Sequence, residues 1–298
     1  RGRVAVGPGA IAHEVQHRHS SLLDCPAIGP APAVNRTADG VAIGVFANIN
    51  HPSELSALDP ASVDGIGLLR TEFLMAKRAD LLDEERQHAV YRSVLSWAGE
   101  RPVTIRLLDF GGDKPLPGQD RPDPASNLAL RGIRLLLARP ELLRTQARAL
   151  LRAGSHGKLA VMLPMVTIPA EVEETRVVFA EEAAALGRAG IDARMPPIGM
   201  MVEVPAAALT LDRFSAADFF SFGTNDLAQF LAAASRDDAA VAPLHAAAVP
   251  ALEKLLGLAM ALLAEDGRPV GICGDMAGDP RHLPALLAAG LREFSMAP

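Results

Sequence analysis

Eight short apolar or β-branched runs, each closed by Gly, Pro or a polar residue, recur along this chain with helical patterns between them. They are Val41–Asn48, Gly65–Glu72, Val103–Asp109, Leu159–Val166, Ile198–Val204, Phe219–Asn225, Val270–Asp275 and Glu293–Met296. Runs this apolar are buried on both faces, and alternation with helices implies parallel pairing. About eight β/α units in roughly 250 residues is the arithmetic of a closed (β/α)8 TIM barrel; a doubly wound sheet with fewer strands is the competing arrangement. The intervening helices are expected at Asp83–Trp97, Glu141–Ala153 before Gly154, Ala170–Leu186, Pro250–Ala264 and Pro280–Ala289. Each combines apolar spacing of three and four with an acidic first turn, a Pro start or a Gly stop. The eighth strand lies at the extreme C-terminus, so the barrel's final helix is expected to be lacking.

The first forty residues differ in kind. Arg1–Ala10 is a strand-like stub, His13–Leu23 a polar helix and Asp24–Gly40 a stretch rich in Pro, Ala and Gly. The expected division is therefore an N-terminal linker segment over 1–40 and a barrel over 41–298.

A barrel presents the C-terminal ends of its strands to one common mouth. Here those ends read Leu68-Leu-Arg-Thr-Glu72, Thr104-Ile-Arg-Leu-Leu-Asp109, Met201-Val-Glu-Val-Pro205, Ser221-Phe-Gly-Thr-Asn-Asp226 and Gly271-Ile-Cys-Gly-Asp275. Charges inside apolar runs are unfavourable unless paired or bound to a ligand. Two arrangements satisfy that condition. One is a structural ion-pair network of Arg70 and Arg106 against Glu203 and Asp226. The other is an anionic ligand gripped by guanidinium forks, with a divalent metal joining it to the two carboxylates. Arg131, Arg134 and Arg236 add positive charge nearby, although each taken alone fits a solvated loop or helix position. Asn225 places an amide beside Asp226. Cys273, flanked by glycines, is either a buried structural thiol or a proton donor reaching over a flat substrate; Cys25 and the histidines carry no such context.

Composition narrows the classes. Asp and Glu number 35 against 29 Lys and Arg, for a net charge of -6, which argues against a general nucleic-acid binder. Two cysteines exclude a disulfide scaffold and suit a reducing cytoplasm. The most apolar long stretch, Leu252–Leu263, is interrupted by Glu253 and Lys254, so no membrane insertion is expected.

Five motifs, in order, resemble the phosphoenolpyruvate-binding barrel of enzyme I, the phosphoenolpyruvate–protein phosphotransferase of the bacterial phosphotransferase system. They are Gly65-Ile-Gly-Leu-Leu-Arg-Thr-Glu-Phe73, Arg106-Leu-Leu-Asp-Phe-Gly-Gly-Asp-Lys114, Glu203-Val-Pro-Ala-Ala207, Phe220-Ser-Phe-Gly-Thr-Asn-Asp-Leu227 and Gly271-Ile-Cys-Gly-Asp-Met-Ala-Gly-Asp279. Pyruvate phosphate dikinase and phosphoenolpyruvate synthase, other members of the PEP-utilizing enzyme family, share the barrel. The resemblance implies that Arg70, Arg106 and Arg236 hold the phosphoryl group while Arg131 and Asn225 orient the substrate. It implies that Glu203 and Asp226 ligate Mg²⁺, Asp226 also facing the substrate, and that Cys273 protonates the enolate to give pyruvate. The chain departs from the family in carrying Asp275 where Glu is usual, and Ala125-Ser-Asn-Leu-Ala-Leu130 before Arg131.

The resemblance further implies a phosphohistidine domain, absent here, as phosphoryl acceptor, with residues 1–40 as the remnant of its last strand plus a linker helix. A phosphocarrier protein would act downstream, the full-length protein would be a homodimer, and sugar transport in the cytoplasm would be the setting. The rival expectations are a non-catalytic sensor of phosphoenolpyruvate or pyruvate, the corresponding half of a dikinase- or synthase-like enzyme, and an enolate-forming lyase or aldolase.

Overall fold

The computed structural model describes residues 35–75, 77–111, 116–117, 128–235 and 238–298. Eight parallel strands form its centre: β1 Ala42–Ile49, β2 Gly65–Leu69, β3 Val103–Arg106, β4 Leu159–Leu163, β5 Ile198–Val202, β6 Phe220–Gly223, β7 Val270–Cys273 and β8 Glu293–Met296. Each pairs with the next, and β8 pairs back onto β1 from Gly44 opposite Glu293 to Ala47 opposite Met296. The sheet is a closed barrel, as the count of β/α units predicts, and the doubly wound alternative is excluded because a doubly wound sheet keeps two open edges. A two-residue strand, Asn35–Arg36, pairs antiparallel with the start of β1. The stub and helix expected over 1–34 lie outside the described residues.

Strand ladders end earlier than the apolar runs suggest. Pairing stops at Leu69, Arg106 and Gly223, and Glu72, Asp109 and Asn225 follow in turns or helix. Beyond the last paired residue the backbone bends, and polar side chains converge over the mouth instead of alternating in and out.

The helices are α1 Glu84–Ala98, α2 Ile133–Ala138, α3 Pro140–Ala153, α4 Pro169–Arg188, α5 Pro205–Ala208, α6 Thr224–Ala232, α7 Pro243–Leu262 and α8 Leu283–Ala288. The Asp83 side chain accepts from the Arg86 N–H at 2.9 Å and caps α1, consistent with its expected start. Helix α7 begins a full two turns before the expected Pro250, because Pro243 occupies its first turn and Pro250 lies inside. That extension makes α7 long and apolar enough to cross a membrane; Leu252, Leu255, Leu256 and Ala259 pack into the protein core, and most of its other residues are partly or fully exposed. The short helices α2, α5 and α6 are unforeseen in the sequence: they are too brief to show a helical period.

On the outside, α1, α3 and α4 are laced together. Arg148 reaches both Glu84 and Glu182, Arg152 pairs with Glu84 and Glu85, and Arg144 with Glu181 and Glu182. Beneath them, Gln146 of α3 accepts from the Leu108 N–H at 3.0 Å and donates to the hydroxyls of Tyr91 and Thr71. Thr71 in turn donates to the Arg106 carbonyl at 3.0 Å. This buried chain holds the turn after β3 to the helical shell and fixes where Arg106 and Asp109 stand.

Candidate active site

The mouth collects charges that strand order alone keeps apart. Arg106, only 4% exposed, donates through Nη2 to Glu72 Oε1 at 2.9 Å and lies 3.2 Å from Asp109 Oδ2. Its Nη1 contacts the Met201 sulfur at 3.7 Å, while its buried Nε has no hydrogen-bond partner among the described residues. Burial opposes its charge, but Glu72, Asp109, Glu203 and Asp226 outweigh that and raise its pKa above the usual guanidinium value.

Arg131, which the resemblance places at the substrate, lies deeper than its sequence context suggests. A loop arginine of this kind reads as solvated, but it is 2% exposed and bonded bidentately to Asp109, Nε to Oδ1 and Nη2 to Oδ2, both at 2.8 Å. Its Nη2 also reaches Asp226 Oδ2 at 3.0 Å. The backbone makes this possible at Gly132, whose φ of +58 turns the chain into α2; a Cβ there would stand 2.8 Å from the Met165 Cβ. Arg134 behaves as expected of a rim residue, half-buried against Thr167 and Glu171.

Glu203 is buried and accepts from the Met165 N–H at 2.6 Å. Burial, then repulsion from Asp226 and Asp109, pushes its carboxyl up to about 8. Glu203 thus has two carboxylates, Asp226 and Asp109, near it, a setting that a hard divalent cation would relieve. Glu203 and Asp226 are the oxygen donors suited to one, and Mg²⁺, which takes one or two carboxylates plus substrate oxygens, fits that set. Among the described residues no cluster of three or more His, Cys, Asp or Glu has metal-binding geometry.

Arg70 is half-buried and donates to the Asn50 carboxamide at 3.0 Å. The Asn225 carboxamide oxygen accepts from the Asp275 N–H at 2.9 Å, which leaves its NH₂ to serve a ligand. Asp275 is itself exposed on the lip, so its side chain is not part of the buried cluster. Cys273 lies inside the barrel with Leu68, Met162 and Met201, 2% exposed. Burial pushes its thiol up to about 11 despite the opposing hydrogen bond from Ser221, so at neutral pH it carries its proton. Arg236 lies outside the described residues.

The ion-pair arrangement anticipated for this cluster exists with different partners. Arg106 pairs with Glu72 and Asp109, and Arg131 with Asp109 and Asp226. Glu72 and Asp109 went unassigned in the sequence, although each stands two or three residues from a strand-end arginine. That proximity was the available signal.

A closed (β/α)8 barrel whose C-terminal mouth gathers buried arginines and carboxylates near a protonated thiol defines a class of barrel with a charged, ligand-sized mouth. Within it, residues 31–298 match the model of the PEP-binding domain of PEP-utilising enzymes, and the chain belongs to that family. It is 43% identical over 263 residues to the phosphoenolpyruvate-protein phosphotransferase of Geobacillus stearothermophilus, covering 87% of this chain and 46% of that protein. The protein of the same name from Staphylococcus carnosus is 42% identical over 263 residues, covering 87% of this chain and 46% of the relative. The chain thus spans about half the length of the curated relatives it matches. A solved HpcH/HpaI aldolase/citrate lyase family protein from Burkholderia cenocepacia overlays with a TM-score of 0.52 at 15% identity, covering 86% of this chain and 88% of that one. That likeness is one of fold alone.

Proposed function

We propose that this barrel binds phosphoenolpyruvate together with Mg²⁺ and donates the phosphoryl group to a histidine on a phosphohistidine domain, releasing pyruvate as the first step of the phosphotransferase system. Family membership and the names of the relatives support the substrate. The observation that carries the chemistry is the pairing, in one mouth, of buried guanidinium groups with a thiol that keeps its proton.

Arg106 and Arg131 are held by Glu72 and Asp109 before any ligand arrives, so their donors are preorganised for phosphoryl and carboxylate oxygens. Arg70, with Arg236, completes the grip on the phosphoryl group, and Asn225 offers its NH₂ to orient the substrate. Glu203 and Asp226 would hold Mg²⁺, which supplies charge neutralisation for the phosphoryl oxygens and the enolate. When the P–O bond breaks, its electron pair stays on the enolate oxygen beside these cations. The Cys273 S–H then gives its proton to the enolate methylene carbon and completes pyruvate.

Calorimetry with Mg²⁺ tests the proposal. Phosphoenolpyruvate should bind to the chain, Arg106→Ala should abolish binding, and Glu203→Gln should remove its Mg²⁺ dependence. Absence of binding by the unchanged chain overturns the assignment. Supplying a phosphohistidine domain in trans separates transferase from sensor: a sensor would bind phosphoenolpyruvate and leave the histidine unphosphorylated.

A further inference from the structure

The lower half of the barrel is unusually open. Barrel interiors are normally filled by branched apolar side chains, but here Gly67, Thr104, Ala160, Ser221, Gly271 and Ser295 occupy it, around a cavity of about 810 Å³. The cavity reaches the face opposite the mouth, where Pro102, Pro197 and Pro269 precede β3, β5 and β7 and Met195, 40% exposed, marks the rim. Its upper wall includes Ser221, which lowers the cost of ionising the Cys273 thiol and so stands beside it. In register, Ser221 stands opposite Gly271 and Cys273 opposite Ser295, so the thiol sits directly above the cavity's polar lining.

We propose that Ser221 and this cavity form a rear proton route that reloads Cys273 from bulk water while the mouth is covered by substrate. The inference rests on the assignment of Cys273 as the acid. After the S–H proton has moved to the methylene carbon, the thiolate takes the Ser221 O–H proton to form a new S–H bond. The Ser221 oxygen takes a proton from a cavity water, and the hydroxide left behind is neutralised by the next donor outward. The lining is largely apolar, with Phe46, Ile66 and Phe219 among it, but the cavity is large enough for water to bridge the hydroxyls of Thr104, Ser221 and Ser295. Glu293 supplies a donor at its outer end. It lines the cavity, and its carboxyl makes no hydrogen bond or ion pair among the described residues.

The test is exchange of pyruvate methyl protons into D₂O, followed by ¹H NMR on the whole chain with Mg²⁺. Exchange runs the same proton transfer without an acceptor domain. Ser221→Ala should slow it by about tenfold or more, on the scale of a lost acid–base group, and Ser221→Thr, which keeps the hydroxyl, should restore most of it. Gly271→Leu should plug the route from below: a Cβ there meets Glu293 at 3.4 Å, ordinary contact, so the strand can accept it. That variant should slow exchange while calorimetry finds unchanged pyruvate affinity. Unchanged exchange in both Ser221→Ala and Gly271→Leu overturns the rear route and leaves Cys273 as the acid. No exchange by the unchanged chain, or exchange persisting in Cys273→Ala, overturns the Cys273 assignment and this route with it.

Discussion

Arg131 and Asp109 meet edge to edge, with Nε–Oδ1 and Nη2–Oδ2 both at 2.8 Å, and neither side chain is exposed by more than 2%. Asp109 also lies 3.2 Å from Arg106, so a single buried carboxylate positions two guanidinium groups. Asp109→Asn should therefore impair both at once. Breaking one partner of a buried pair is worth about 3–5 kcal/mol, and urea unfolding should show a loss of that order, with phosphoenolpyruvate affinity falling in parallel by calorimetry.

Arg106→Lys separates charge from geometry. A lysine keeps the positive charge but not the planar fork that now spans Glu72 and the Met201 sulfur. Phosphoenolpyruvate affinity should fall by about tenfold or more, the scale of one lost charge-assisted bond, while the thermal midpoint shifts little. Retained affinity would mean that charge alone recruits the ligand.

Glu203 makes stability depend on pH. Its carboxyl is raised from 4.5 to about 8 by burial and its acidic neighbours. The folded state therefore holds this proton more tightly than the unfolded chain does. The stabilisation is full below the unfolded value and is lost as pH rises through the folded one. Without Mg²⁺, the urea midpoint should drop from about pH 4.5 to about pH 8 and level off above it. Glu203→Gln should flatten that stretch of the profile, and a profile unchanged by the substitution would contradict the assignment.

Cys273 should be slow to alkylate. With its thiol pushed up to about 11, little thiolate exists at neutral pH. In a Cys25→Ser background, the iodoacetamide rate should stay low through neutrality and climb only as pH nears that value. Fast modification at neutral pH would show a thiolate and remove Cys273 as a proton donor.

Gly132→Ala should be destabilising although it adds a single methyl. The backbone φ of +58 disfavours any L side chain, and the new Cβ would press on Met165 at 2.8 Å. A loss of at least about 1–2 kcal/mol is expected from the left-handed conformation alone. Because Gly132 follows Arg131, ligand affinity should fall with it, measurable by calorimetry.

The barrel was legible in the sequence because its cause is local. Runs such as Ile198–Val202 are apolar on both faces, and only strands covered on both sides tolerate that. Strand ends that read Arg106, Glu203, Asp226 and Cys273 likewise marked one mouth, since a barrel sends every strand's C-terminal end to the same face. Partnership was not legible. Arg131, marked by the resemblance but solvated when read alone, finds its partners only when closure of the barrel brings it against Asp109 and Asp226, 22 and 95 positions away. Nor could periodicity find the role of Gln146, whose amide ties α3 to the turn after β3. Hydrophobic burial follows from the pattern of neighbouring residues, so sequence determines which elements form and which face they bury. Charge pairing depends on distances of about 3 Å between groups remote in the chain, and tertiary structure alone decided it.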